Sequence, residues 1–161
     1  VRKPEKGGWY YEVSELGYHY RMTDIQAALG LSQLRRLDEF IAQRNEIAAS
    51  YRIELTGPDI VLPPEAPAGY RHGYHLFAVW VPKREAMYKF LWEAGIRAQV
   101  HYVPIHHHPI SADTKTLGAK NLGNADWLYA GVLSLPLFVN LQKSEIEKIS
   151  EALFLFNEEH P

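Results

Sequence analysis

The sequence predicts a helix-rich, two-layer α/β domain, preceded by an irregular arm and a long helical region. Three observations carry that reading. Residues 74–102 pass through a β-branched and aromatic stretch, a helically spaced stretch and a second apolar stretch, which is strand–helix–strand order. Between Thr23 and Leu55, apolar residues recur mostly in steps of three, four or seven. Residues 1–22 show no helical period. The expected boundaries are therefore an extended interface arm over 1–22, a helical region linking the domains over 23–57, and an α/β domain over 58–161.

The arm carries Pro4, Gly7, Gly8 and Gly17 among the aromatics Trp9, Tyr10, Tyr11, Tyr18 and Tyr20. Aromatics without a periodic core have little of their own to join, so the arm is expected to lie against another chain or to be exposed. Thr23 then opens a helix. Thr23 and Gln26 have the spacing of a capping box, and Asp24 suits the positive end of the helix dipole. The apolar stripe that follows is Ile25, Ala28, Leu29, Leu34, Leu37, Ile41, Ala48, Tyr51 and Leu55. So long a stripe reads as two helices, or as one with a kink. Gly30 weakens the interior by roughly 1 kcal/mol against Ala, Asp38 reads as a second N-cap, and Gly57-Pro58 ends the run.

Residues 63–73, with three prolines and two glycines, form a loop. Tyr74–Pro82 follows as a strand. Lys83–Ala94 has helical spacing through Met87, Phe90 and Leu91, with Gly95 just past its end, and Ile96–Tyr102 is a second strand. Pro104 and Pro109 bracket a rigid loop that holds His106, His107 and His108. Asn124 is placed to cap a helix through Trp127, Leu128 and Val132, and a short apolar segment, Leu133–Val139, contains Pro136. Ser144 and Glu147 have the spacing of another capping box, ahead of a last helix that buries Ile146, Ile149, Leu153 and Phe156.

Composition excludes several classes of function. The 161 residues are 47% hydrophobic and 22% charged, enough apolar matter for one real core and too little charge for a disordered tail. With 17 basic and 19 acidic residues the formal charge is −2, which gives no electrostatic footprint for nucleic acid or an anionic membrane. There is no cysteine, hence no disulfide, thiolate nucleophile or Cys-type zinc site. No run approaches the ~18 consecutive apolar residues of a membrane span, and residues 1–8 are polar, without a signal core. The expected compartment is the cytoplasm. The chain begins at Val1 rather than Met, which suggests a start within a longer protein.

The sharpest local signal is Leu16-Gly17-Tyr18-His19-Tyr20-Arg21-Met22-Thr23-Asp24-Ile25-Gln26-Ala27-Ala28-Leu29-Gly30. It brings aromatics and a cation to a capped helix start, a place suited to an anion. Arg21 offers a planar fork of donors for carboxylate or phosphate. From the residues alone the bland reading stands first: Arg21 paired with a nearby carboxylate, His19 a surface ring.

This run is similar to the Gly-Tyr-Asn-Tyr-Arg-Met-Thr-Asp-Ile-Gln-Ala-Ala-Leu-Gly signature of the DegT/StrS aminotransferases, and Gln33-Leu34-Arg35-Arg36-Leu37 continues it. Gly95 to His106 (Gly-Ile-Arg-Ala-Gln-Val-His-Tyr-Val-Pro-Ile-His) resembles the family's second block. Asn124-Ala125-Asp126 through Leu133-Ser134-Leu135-Pro136-Leu137 resembles its third. Within the family the resemblance is greatest to the branch that aminates a UDP-linked 4-keto-6-deoxy-N-acetylhexosamine, the UDP-4-amino-4,6-dideoxy-N-acetyl-altrosamine transaminases of pseudaminic acid biosynthesis.

The resemblance implies the small C-terminal domain of a fold-type I aminotransferase that uses pyridoxal phosphate. The parent would move an amine from glutamate to a nucleotide-linked keto sugar and would work as a homodimer. His19 stands where the family usually has Asn, a residue that reaches the cofactor phosphate of the other subunit; imidazole still offers one N–H. Arg21 matches the family's Arg in the same loop, and His101 and Tyr102 match the pair lining the sugar-nucleotide pocket. His106 matches a His often present after the Pro, whereas His107 and His108 have no counterpart. The family's Schiff-base lysine and its carboxylate partner lie well upstream of the signature, where only Lys3 and Lys6 stand here. The chain alone is therefore expected not to transaminate.

Two rivals stand beside this reading. One is a non-catalytic sugar-nucleotide or dimerisation module. The other is a His-loop metal-binding protein built on His101, His106, His107 and His108. No metal site is expected, because adjacent ligands on a loop rarely converge and Asp113 is the nearby carboxylate.

Overall fold

The computed structural model describes residues 18, 20–57, 59–107 and 122–159. They fall into two compact units that part between Arg36 and Leu37.

The first unit is built on α1 (Asp24–Leu34). Its start is the capping box read from the sequence: the Gln26 N–H donates to Thr23 Oγ1 and the Thr23 N–H to Gln26 Oε1 at 2.9 Å. Gly30 lies inside the helix and does not break it, since Ala and Leu neighbours offset its cost. The interruption comes at Arg35 and Arg36. No residue of α1 is buried; Ile25, Leu29 and Leu34, the first part of the apolar stripe, are exposed.

The second unit begins with α2 (Leu37–Glu54), so Asp38 is a first-turn residue rather than the N-cap, and the helix stops before Gly57. Ile47, Ala48 and Tyr51 are buried along it, and Leu55 just beyond. The 63–73 loop is tied back to α2. Arg71 holds the Asp38 carboxylate at 2.8 Å, and the Asn45 amide donates to the His72 carbonyl at 2.9 Å.

β1 (Phe77–Trp80) and β2 (Val132–Leu135) pair antiparallel, with Phe77 opposite Leu135, Ala78 opposite Ser134, Val79 opposite Leu133 and Trp80 opposite Val132. Single bridges extend the sheet on both sides, Val61 to Trp80 and Gln99 to Ser134. The strand expected over 96–102 is thus reduced to one bridge, and the one over 74–82 to four residues. Between them, α3 (Arg84–Glu93) ends where Gly95 takes φ +81°, and the Ile96 N–H returns to the Leu91 carbonyl.

α4 (Gly123–Gly131) starts ahead of Asn124, whose side chain therefore does not cap it. α5 (Lys143–Glu159) starts ahead of Ser144, and its entry is held by Glu145, whose carboxylate accepts from the Gln142 N–H at 2.8 Å. The expected Ser144–Glu147 box is therefore two residues out of register. Its buried face is the expected one: Ile146, Ile149, Leu153 and Phe156.

Cross-strand partners share a face of a sheet. Phe77, Val79, Leu133 and Leu135 form the core face and join Tyr51, Met87, Leu91, Leu153 and Phe156 in one cluster. Ala78, Trp80, Val132 and Ser134 therefore belong to the other face, where α4 lies against β1. Among the described residues, no helix is long and apolar enough to cross a membrane.

Candidate functional site

That second face carries the chemistry. Ser134 is a buried hydroxyl between two buried leucines, and a buried hydroxyl needs a partner. Its backbone exchanges two hydrogen bonds with Gln99, at 3.0 and 2.7 Å, which fixes the chain just before His101. Its side chain then meets His101 Nδ1 at 3.0 Å. Backbone pairing and side-chain bond together set the ring's orientation. Tyr102 follows across a cis peptide bond, its ring 4.7 Å edge-to-face from that of His101. The Tyr102 side chain is 72% exposed, so its phenol is available to donate to or accept from a ligand oxygen.

Two residues further on, the chain makes a short 3-10 turn, Ile105–His107, closed by the His107 N–H on the Pro104 carbonyl at 2.9 Å. The turn aims two imidazoles at one carboxylate. His106 Nε2 and His107 Nε2 each lie 2.7 Å from Asp126 Oδ1, in the first turn of α4. Those two hydrogen bonds hold the Asp126 carboxyl below the usual aspartate value. One turn along α4, Tyr129 stands edge-on to His107 at 5.4 Å, and the Arg84 guanidinium lies 5.3 Å from the Tyr129 ring centre.

An aromatic pair braces α4. Trp80 and Trp127 stack at 5.0 Å with planes 9° apart, and Trp80 Nε1 donates to the Trp127 carbonyl at 2.9 Å. Gly131 allows this, because a Cβ there would overlap the Trp80 indole.

The structure thus places His101 with Tyr102, and His106 with His107, in the second unit. Arg21 is exposed in the first unit, beside the capped start of α1. His19, His108 and Asp113 lie outside the described residues, as do Trp9 and Tyr11 of the arm. One expectation is corrected: the adjacent histidines do converge, and the carboxylate they meet is Asp126. Sequence reasoning missed Ser134 and Asp126 as partners, although both stand in the third block. A serine inside an apolar strand was the available signal for the first.

Residues 2–154 match the DegT/DnrJ/EryC1/StrS aminotransferase family. The chain belongs to this family. It is 33% identical over 159 residues to the spore coat polysaccharide biosynthesis protein SpsC of Bacillus subtilis, covering 94% of this chain and 41% of SpsC. It is 34% identical over 151 residues to a UDP-4-amino-4,6-dideoxy-N-acetyl-beta-L-altrosamine transaminase of Campylobacter jejuni, covering 91% of this chain and 40% of the relative. Among solved structures, the aminotransferase TlmJ from Streptoalloteichus hindustanus superposes with a TM-score of 0.81 at 29% identity, over 94% of this chain and 41% of TlmJ. The chain therefore spans about two fifths of the length of the relatives it matches, and its mixed helix-and-sheet fold is that of an aminotransferase α/β domain.

Proposed function

We propose that this chain is the substrate-side C-terminal portion of a pyridoxal-phosphate-dependent aminotransferase acting on a nucleotide-linked keto-deoxy sugar, with glutamate as amine donor. The observation that carries it is the His101–Tyr102 segment, held to β2 through Ser134 with its phenol facing solvent. A preset imidazole beside a free phenol suits a sugar or pyrophosphate oxygen, and family membership and the altrosamine transaminase relative support that ligand class. His106 extends the same wall, and Arg21 serves the loop ahead of α1. His19 would reach the cofactor phosphate of a second subunit of a homodimer. The setting is cytoplasmic polysaccharide or glycan biosynthesis.

Among the described residues, the lysines Lys83, Lys89, Lys143 and Lys148 are all exposed, whereas pyridoxal chemistry holds its lysine within the active site. As the resemblance places the family's lysine well upstream of the signature, the reading assigns the cofactor lysine to a region outside this chain. Residues 1–161 with pyridoxal phosphate should then give no borohydride-fixed adduct at a single lysine.

The product of the complete reading frame tests the rest. It should transfer the amine of glutamate to a UDP-linked 4-keto-6-deoxy-N-acetylhexosamine. Tyr102→Phe and His101→Gln should raise KM for the sugar nucleotide about tenfold, the scale of one hydrogen bond to a charged group, and leave the glutamate half-reaction unchanged. No transfer, or an unchanged KM in both variants, would overturn the reading.

A further inference from the structure

The aminotransferase reading gives no role to His107 or to Asp126, which meet His106 in one cluster. His106 Nε2, His107 Nε2 and a carboxylate oxygen of Asp126 all lie within 4.8 Å of one another. They come from two hydrogen-bonded elements, the 3-10 turn closed on Pro104 and the first turn of α4. We propose that His106, His107 and Asp126 bind a divalent transition-metal ion of the zinc type, with the remaining coordination positions open to solvent.

The donor set selects the ion. Two imidazoles and one carboxylate suit Zn2+, Ni2+ or Cu2+, whereas Mg2+ and Ca2+ prefer all-oxygen ligands. Three protein ligands with an open position is the pattern of exchangeable zinc sites rather than closed structural ones. The exposure of the group fits that: Asp126 is half exposed, His107 more than a third and His106 about a quarter. Zinc–ligand bonds of about 2.0–2.1 Å in a tetrahedron set neighbouring ligand atoms about 3.3 Å apart. The present 2.7 Å contacts are hydrogen bonds, so entry of the ion needs a separation of roughly half an ångström and moves each imidazole proton to Nδ1. Tyr129 against His107 limits the ring's swing, as a supporting shell does.

Metal binding to the metal-free chain is the test, with Zn2+ alone as the probe and no activity in the readout. By equilibrium dialysis near neutral pH, wild type should bind one equivalent. His107→Gln and Asp126→Asn should each weaken binding about tenfold or more, and the exposed His75→Gln should bind as wild type. Circular dichroism checks that each variant folds. If one does not, the wild-type imidazole NMR resonances decide: Zn2+ should shift those of His106 and His107 ahead of the other histidines. Binding that survives both substitutions, or shifts spread equally over all histidines, would overturn the site. These outcomes are independent of whether the complete protein transaminates.

Discussion

Tyr51 shows how one residue ties helix, sheet and the strand exit together. Its ring is fully buried and stacks on Phe77 at 5.0 Å, while its hydroxyl donates to the Pro136 carbonyl at 2.8 Å. Proline follows β2 directly, and its carbonyl has no place in the ladder, so the phenol supplies the partner. Tyr51→Phe keeps the stacking and removes that bond, which should lower unfolding free energy by about 1 kcal/mol. Burial, with the Glu145 charge adding to it, pushes the Tyr51 phenol well above its usual value. A raised folded value means the contribution is fully present below the unfolded value of about 10 and is lost as pH climbs past it. Wild type should therefore lose stability above about pH 10, and Tyr51→Phe should lose less. Urea midpoints across that range check both statements, and identical alkaline limbs would contradict the second.

At the scale of the element, the junction of α4 and β2 depends on a side chain that is missing. Gly131 closes α4 directly before Val132 and lies against the Trp80 indole. Gly131→Ala would drive a methyl group into the ring, and indole, stacked on Trp127 and bonded to its carbonyl, has little room to yield. Overpacking of this kind costs roughly 1–3 kcal/mol. The variant should unfold at lower urea, and its tryptophan emission should shift as the Trp80–Trp127 pair separates. Unchanged emission with unchanged stability would show that the junction accommodates the methyl group without loss of the stacked pair.

For the second unit as a whole, α5 is the member that closes the core. It packs against both α2 and α3, with Leu153 fully buried among them. Leu153→Ala should cost about 2–5 kcal/mol, depending on how far the surrounding helices collapse. The expected signature is a lower urea midpoint with an unchanged slope, because the same surface is exposed on unfolding. A loss below 1 kcal/mol would mean that α5 is not anchored at that point. In contrast, α1 buries none of its residues, so truncating Leu29 or Leu34 is not a test of this core.

What is local or periodic in this protein was legible before folding was considered. The Thr23–Gln26 box needs only three residues' spacing, and Gly95 marks a helix end because φ +81° suits glycine. The buried face of α5 follows from its 3.6 period, and three ordered blocks gave the family before any coordinate did. Exact element limits were less legible: Asp38, Asn124 and Ser144 all look like caps, yet each helix begins earlier than its apparent cap. Cap chemistry is worth about 1 kcal/mol, which tertiary packing readily overrides. The site's partners were decided by tertiary structure alone. Ser134 meets His101 across 33 positions and Asp126 meets His106 across 20, and no local period reports such pairs. They meet because β2 pairs with Gln99 on one side and α4 leads straight into β2, which brings a buried hydroxyl and a helix-start carboxylate to the same stretch of chain.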